Sequence, residues 1–300
     1  YTDFVKRSWD WVLGLGTGTG WFPAAPDWAV NCNETCMISD AMSNAALIAQ
    51  AGHPEYYDYV ERYLRNYISP LQFIVTPEFE SAYRRLHSAA REEDVDQGLR
   101  ALRKFQGGII GASGLNDIEN ELLRAHGFEM FGCCAPEGMR AIHTAWAHAI
   151  QRLPASPLGP AGVYASLCLR RDSPWGALRS AFPEAGGFSV KAAVRDDFFL
   201  RPPHWAPRQE VRCFRNGAPA PVAWSGAYAR FDDARPGEEL AIGYPLARFA
   251  HQAGGQWQKV APDARLTFEW LGNMVAAVDP PARGTPLFTG RPRLLPPPPE

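Results

Sequence analysis

Several large functional classes are excluded by what this sequence lacks. No apolar run approaches the roughly 20 residues needed to cross a bilayer, so membrane insertion is not expected. There is no basic excess either: the formal net charge is −2, the sequence pI is near 6.4 and no long Lys/Arg cluster occurs. Nucleic acid is therefore not an expected partner. Cysteine is sparse, with six in 300 residues at positions 32, 36, 133, 134, 168 and 213. That spacing is unlike a secreted disulfide scaffold, so a reducing compartment or a metal fits better. Free thiols favour a cytoplasmic location, although nothing else in the sequence fixes the compartment. The first residues lack both an initiator Met and the hydrophobic region of a signal peptide. They already read as helix, with Val5, Trp9, Val12 and Leu13 at helical spacing, so the chain is expected to be cut from a longer one whose missing part leaves a signal peptide open.

What the sequence does carry divides near residue 155. Apolar composition of 46% suffices for more than one core. From residue 34 to about 152 the signals are helical. Met37, Ile38, Met42, Ala45 and Ile48 mark one stripe, Gly52, His53 and Pro54 break it, and Tyr56, Tyr59, Val60, Tyr63, Leu64 and Tyr67 mark the next. Two antiparallel helices follow. A third helical stretch is expected over residues 77–105, with Arg91, Glu92, Glu93 and Asp94 on a solvated segment. Met139, Ile142, Trp146 and Ile150 mark a fourth helix, opened by Pro136 and Glu137, residue types suited to a first turn.

After residue 154 short runs such as 163–169 and 188–194 lie between Gly and Pro clusters. Asn216-Gly217 and Gly272-Asn273 are hairpin turn candidates. Leu266, Phe268 and Trp270 alternate before the second turn, and Met274, Ala276 and Val278 after it. This half, residues 156–290, reads as an antiparallel β-sandwich, and residues 291–300 as a Pro-rich extended tail.

Cys133 and Cys134 sit just before a helix start, and Glu34-Thr35-Cys36 opens another. Both groups lie where a helix N-terminus favours anions. Three thiolates and a carboxylate match zinc in number and type, although no zinc-ribbon pair of Cys-x-x-Cys knuckles is present. Read from the residues alone, small thiols packed beside helices explain the same positions. The Gly-rich residues 14–20 lack the following Lys of a phosphate loop and suit a flexible loop near a site. His143 and His148 are too poorly phased to share a ligand. Cys168 and Cys213 fall in strand patterns as core residues, and Cys32 is a possible bystander thiol close to Glu34.

The segment 33–42 with its Asn33-Glu34-Thr35-Cys36 start, residues 52–67, Gly107-Gly108, residues 112–117, Cys133-Cys134 and residues 163–169 together resemble the zinc-dependent β-L-arabinofuranosidases of glycoside hydrolase family 127 and their relatives. Weaker similarities follow at residues 201–205, 211–217 and 279–281. The resemblance implies an α+β multidomain chain: the C-terminal part of an (α/α)6 toroid, a six-hairpin glycosidase arrangement, over residues 1–155, then the β-sandwich. It implies zinc held by Glu34, Cys36, Cys133 and Cys134, with Cys133 as nucleophile in a retaining hydrolase acting on a furanoside or related glycan. The family's acid/base glutamate has no counterpart in residues 14–30, where Asp27 is the only carboxylate. Three accounts stay open: Asp27 substitutes for it, Asp117 or Glu129 approaches from elsewhere, or the acid has been lost. Two other readings remain: a polysaccharide lyase on a similar toroid, and a non-catalytic glycan-binding or structural zinc protein.

Overall fold

A computed structural model describes residues 1–24, 32–117, 133–254, 265–282 and 287–288. Helices fill the first half of the chain and strands the second. Helix α1 (Thr2–Leu15) packs on α2 (Thr35–Gln50). Strand β1 (Asn33–Glu34) leads directly into α2, and a single 3-10 turn joins α2 to α3 (Tyr57–Tyr63). The reversal between α2 and α3 uses Gly52 at φ +106°, a left-handed conformation open to glycine. This is the predicted hairpin. Its aromatic stripe is interlocked: Trp9 of α1 lies 5.7 Å from Tyr59 and 5.9 Å from Tyr63, ring centre to ring centre.

The expected single helix over residues 77–105 is two helices, α4 (Pro77–Leu86) and α5 (Glu92–Arg103). Thr76 caps the first by accepting from the Phe79 N–H at 3.1 Å. The acidic run Glu92, Glu93 and Asp94 is exposed, as the sequence suggests, but it forms the first turn of a new helix, where negative charge offsets the N-terminal dipole. The pairs Arg84–Asp96 (2.6 Å) and Arg103–Glu80 tie α4 and α5 together.

After β2 (Ala112–Ser113), helix α6 (Cys134–Ala149) packs along α2. Three of its four expected apolar marks face outward: Met139, Ile142 and Trp146 are exposed, the fourth, Ile150, is buried in the strand that follows, and within the helix Gly138, Ala141, Ala145 and Ala149 are buried. The residues that α2 buries include Ala41, Ala45 and Ala49. Small residues on both sides let the two helices approach closely. A Cβ on Gly138 would stand 2.5 Å from Ile109. The C-terminal end of α6 is held by Arg171, whose Nη1 donates to the carbonyls of Trp146, Ala147 and Ile150 at 2.6, 2.9 and 2.9 Å. A cation capping the last carbonyls complements the helix dipole.

The β half begins on the residue after α6. Strands β3 (Ile150–Leu153), β4 (Gly162–Ala165), β5 (Arg171–Ser173), β6 (Gly176–Ser180), β7 (Gly187–Ala192) and β8 (Asp196–Leu200) are followed by β9 (Arg212–Arg215), β10 (Ala218–Ala220), β11 (Ala223–Ser225), β12 (Tyr228–Ala234) and β13 (Glu239–Gly243). They form a six-stranded sheet of order β10-β9-β13-β7-β6-β5 and a five-stranded sheet of order β11-β12-β8-β4-β3. Val163, Phe198 and Phe231 from the second sheet and Leu178, Val190 and Ile242 from the first belong to one continuous apolar core. All pairings are antiparallel except β4 with β8. After β4 the chain crosses to the other sheet for β5, β6 and β7, and on returning it lies parallel to the strand it left. At Asn216 (φ 52°) and Gly217 (φ 77°) the predicted tight turn joins β9 to β10.

A three-stranded sheet, β14 (Arg248–Gln252), β15 (Thr267–Leu271) and β16 (Met274–Asp279), lies against the helices. Gly272 makes the predicted turn, but the alternation after it is broken. A bulge between Glu269 and Trp270 pairs Trp270 with Val275 and Phe268 with Val278, so Val275 and Val278 are buried and Ala276 is exposed. Polar side chains on and just after α3 bind the β half. Asp58 pairs with Arg201 at 2.8 Å and accepts from the His204 N–H. Glu61 accepts from the Cys168 N–H at 2.9 Å, and Asn66 holds Asn273 and Val275.

Candidate metal centre

The start of α2 is fixed by the β1–β2 ribbon. Asn33 pairs with Ser113 and Glu34 with Ala112, the Thr35 N–H donates to the Gly111 carbonyl at 2.9 Å, and the Thr35 hydroxyl donates to the Ile110 carbonyl at 2.6 Å. These bonds place Cys36 in the first turn. At the start of α6, Cys133 is the N-cap and Cys134 the first helical residue.

The two helix starts bring three thiols together. The Sγ atoms of Cys36, Cys133 and Cys134 all lie within 4.8 Å of one another, with Cys134 3.7 Å from Cys133 and 3.8 Å from Cys36. Zinc–sulfur bonds of about 2.3 Å in a tetrahedron set sulfurs about 3.8 Å apart. The donor set therefore fits a thiophilic divalent cation. Glu34 Oε2 accepts a hydrogen bond from the Cys36 thiol at 3.3 Å and reaches the group through it. Cys133 is exposed, Cys36 half-buried and Cys134 buried, so one sulfur faces outward while the others are anchored.

Without a cation the buried thiols hold their protons. Burial pushes the Cys36 thiol well above the ordinary thiol range, and the Glu34 hydrogen bond and the neighbouring Cys134 add to the shift. Burial likewise raises Cys134. Thiols packed this closely resist ionising together, although both helix N-termini point at them. A bound cation would offset the thiolate charge and expel the protons.

Asp27 and Glu129 lie outside the described residues. Asp117 is described and half-buried; its carbonyl accepts from the Gly114 N–H at 2.8 Å. His143 is exposed, while His148 is partly buried and bonded through Nδ1 to the Thr144 carbonyl at 2.8 Å, so neither joins the thiols. Cys168 and Cys213 are core residues, and Cys32 is buried.

The Gly-rich residues 14–20 are an anchored turn. A hydroxyl chain runs from Thr17 through Thr19 to Tyr67, each step 2.7 Å, and the Thr17 carbonyl accepts from His251 Nε2 at 2.8 Å. Trp270 donates to the other nitrogen, Nδ1, at 2.7 Å. An indole N–H can only donate and a carbonyl only accept, so these partners fix the His251 tautomer.

Two features escaped the sequence reading. Asn33 and Ser113 stand opposite each other, fully buried, and among the described residues Asn33 Oδ1, Asn33 Nδ2 and Ser113 Oγ have no hydrogen-bond partner. The second is an ion network, Asp40–Arg140–Glu137, between α2 and α6. No local motif announces a pairing across 100 residues.

No family model and no curated protein matches the sequence. Among solved structures, one described as a glycoside hydrolase superposes with a TM-score of 0.50 at 16% identity, over 81% of this chain and 37% of that one. The chain shares its fold with part of that structure. Two others are a GH127 β-L-arabinofuranosidase from Geobacillus stearothermophilus T6 (TM-score 0.38, 11% identity, 82% of this chain and 47% of that chain) and a second GH127 β-arabinofuranosidase (0.43, 15%, 81% and 36%). The chain spans less than half the length of each of the three.

Proposed function

We propose that this chain is the thiol-bearing part of a retaining glycoside hydrolase of the family 127 type, with zinc held by Glu34, Cys36, Cys133 and Cys134. The helical half then belongs to an (α/α)6 toroid and the strands to its β-sandwich. The observation that carries the reading is the convergence of three sulfurs, from positions 98 residues apart, at two helix starts. The likeness in fold to a glycoside hydrolase structure supports it. The substrate class is a furanoside or related glycan.

Zinc, when bound, keeps its sulfur ligands as thiolates at neutral pH and tempers their basicity. Cys133 is the nucleophile in this reading, and its exposure favours it over buried Cys134. Its sulfur attacks the anomeric carbon as the glycosidic C–O bond breaks, and a carboxylic acid, assigned to Asp27, gives its proton to the departing oxygen. Water, deprotonated by the same carboxylate, then attacks that carbon and breaks the C–S bond, so the configuration is retained after two inversions. Cys134, Cys36 and Glu34 hold the site without reacting.

Cys133→Ser should lower turnover of an aryl furanoside by about a thousandfold or more while leaving the fold intact. Unchanged turnover would overturn the nucleophile assignment. Products absorbing in the ultraviolet from a new double bond would indicate a lyase, and glycan binding without product would indicate a binding protein.

A further inference from the structure

We infer that Asp40, Arg140 and Glu137 form a register clamp that holds α2 and α6 in the axial alignment the thiol cluster needs. This rests on the metal reading above and assigns positioning residues that touch neither the cation nor the substrate. Cys36 meets Cys134 at the two helix starts, and further along Asp40 meets Arg140, so the helices run parallel. Parallel neighbours set like dipole ends side by side at the cluster, an arrangement that opposes itself.

The contact between the helices does little to fix their alignment. Beyond Cys134 the residues α6 buries are Gly138, Ala141, Ala145 and Ala149, so it brings no large side chain to lock into α2, whose own buried residues include Ala41, Ala45 and Ala49. A slip of one residue moves a helix by about 1.5 Å, whereas ligand positions tolerate about 0.2 Å. Arg140 spans the gap. Its Nη2 pairs with Asp40 Oδ1 across the interface, and its Nε pairs with Glu137 Oε2 on its own helix at 2.5 Å, which sets the direction of the guanidinium. It is the only ion pair between α2 and α6 among the described residues. Glu137 lies one turn from Cys133 and Asp40 one turn from Cys36, so the clamp acts next to the sulfurs.

Cobalt(II) titration of the full chain tests this, because thiolate-to-cobalt charge transfer reports sulfur ligation. Asp40→Asn and Arg140→Met should each weaken cobalt affinity by about two- to fivefold, the range an exposed ion pair can supply. Because the pair is exposed, the melting temperature of the metal-free chain should move by less than about 3 °C. The charge-swapped double variant Asp40→Arg/Arg140→Asp leaves the new guanidinium facing two carboxylates and should restore the affinity. Single variants that bind as the parent does, or a swap that restores nothing, overturn the clamp.

If the parent chain shows no charge-transfer band, the metal reading fails and the clamp is read without metal. In a Cys133→Ser background, diamide takes two electrons and two protons from Cys36 and Cys134, becoming a hydrazine and leaving a disulfide. Adding Arg140→Met should slow this closure by about fivefold or more through misplacement of the sulfurs; equal rates overturn the clamp.

Discussion

Asp58 shows how much one side chain can carry in this fold. It is one of the few charged residues in the interior, and its two oxygens are taken by Arg201 Nη2 at 2.8 Å and the His204 N–H at 2.7 Å. Arg201 is only 2% exposed, and its Nε donates to the Ser166 carbonyl. Asp58→Ala would leave the guanidinium buried without its counter-charge. Breaking such a pair from one side costs about 3–5 kcal/mol, far more than the pair itself contributes. Urea unfolding should show a loss of that size, with the helical and β halves loosened from each other. A loss below about 1 kcal/mol would mean that water reaches Arg201 in the variant and that the pair is not dry. The aspartate is invisible as a special residue in the sequence, where it reads as one polar position in a Tyr-rich helix.

At the scale of elements, α6 makes the corresponding case for packing. Gly138→Ala is favourable by helix propensity, by up to about 1 kcal/mol. Here the added Cβ would lie 2.5 Å from Ile109 Cγ2 and 2.7 Å from its Cβ. The near end of a branched side chain cannot swing away, so overpacking of about 1–3 kcal/mol should prevail. Chemical denaturation of Gly138→Ala is expected to show net destabilisation, and net stabilisation would contradict the close approach of α6 to Ile109.

The same helix explains what was legible in the sequence. Apolar spacing located α2, α3 and α6 because all three follow the helical period, but it chose the wrong face of α6. Large apolar residues mark a buried face only when the partner leaves room for them, and α2 presents alanines. The break at residues 87–91 hides in the sequence because an acidic run is equally the mark of a solvated surface and of a helix first turn. The bulge at Glu269 and Trp270 shifted the β16 alternation by one residue, which no two-residue period reveals. At the site, the cysteines were readable because helix starts have local chemistry. The positions of Asn33, Ser113, Asp40 and Arg140 are set by tertiary register, which leaves no mark in composition.

Over the whole molecule, burial of ionisable groups bounds the pH range of stability from both sides. Burial lowers His148 below its ordinary value. The unfolded chain takes up a proton near pH 6.5 that the folded chain resists, so the stability His148 contributes is present above that pH and lost as the pH falls. On the alkaline side burial raises the Cys168 thiol and pushes Cys213 up to about 11. Burial also pushes Tyr228 up to about 12 and raises Tyr63 and Tyr244. In the unfolded chain thiols ionise near pH 8.5 and tyrosines near 10. Above those values the unfolded state binds fewer protons than the folded one, and stability must fall as pH rises. Urea midpoints measured on the metal-free chain should therefore be flat between about pH 6.5 and 8.5, decline gently to about pH 10 and fall steeply beyond it. Cys213→Val removes one of the buried thiols without opening a cavity and should remove part of the decline between pH 8.5 and 10, leaving the tyrosine limb in place. A midpoint that holds constant to pH 11 would show that these thiols and phenols ionise in the folded chain as freely as in the unfolded one, and that the core around Cys213 and Tyr228 admits water.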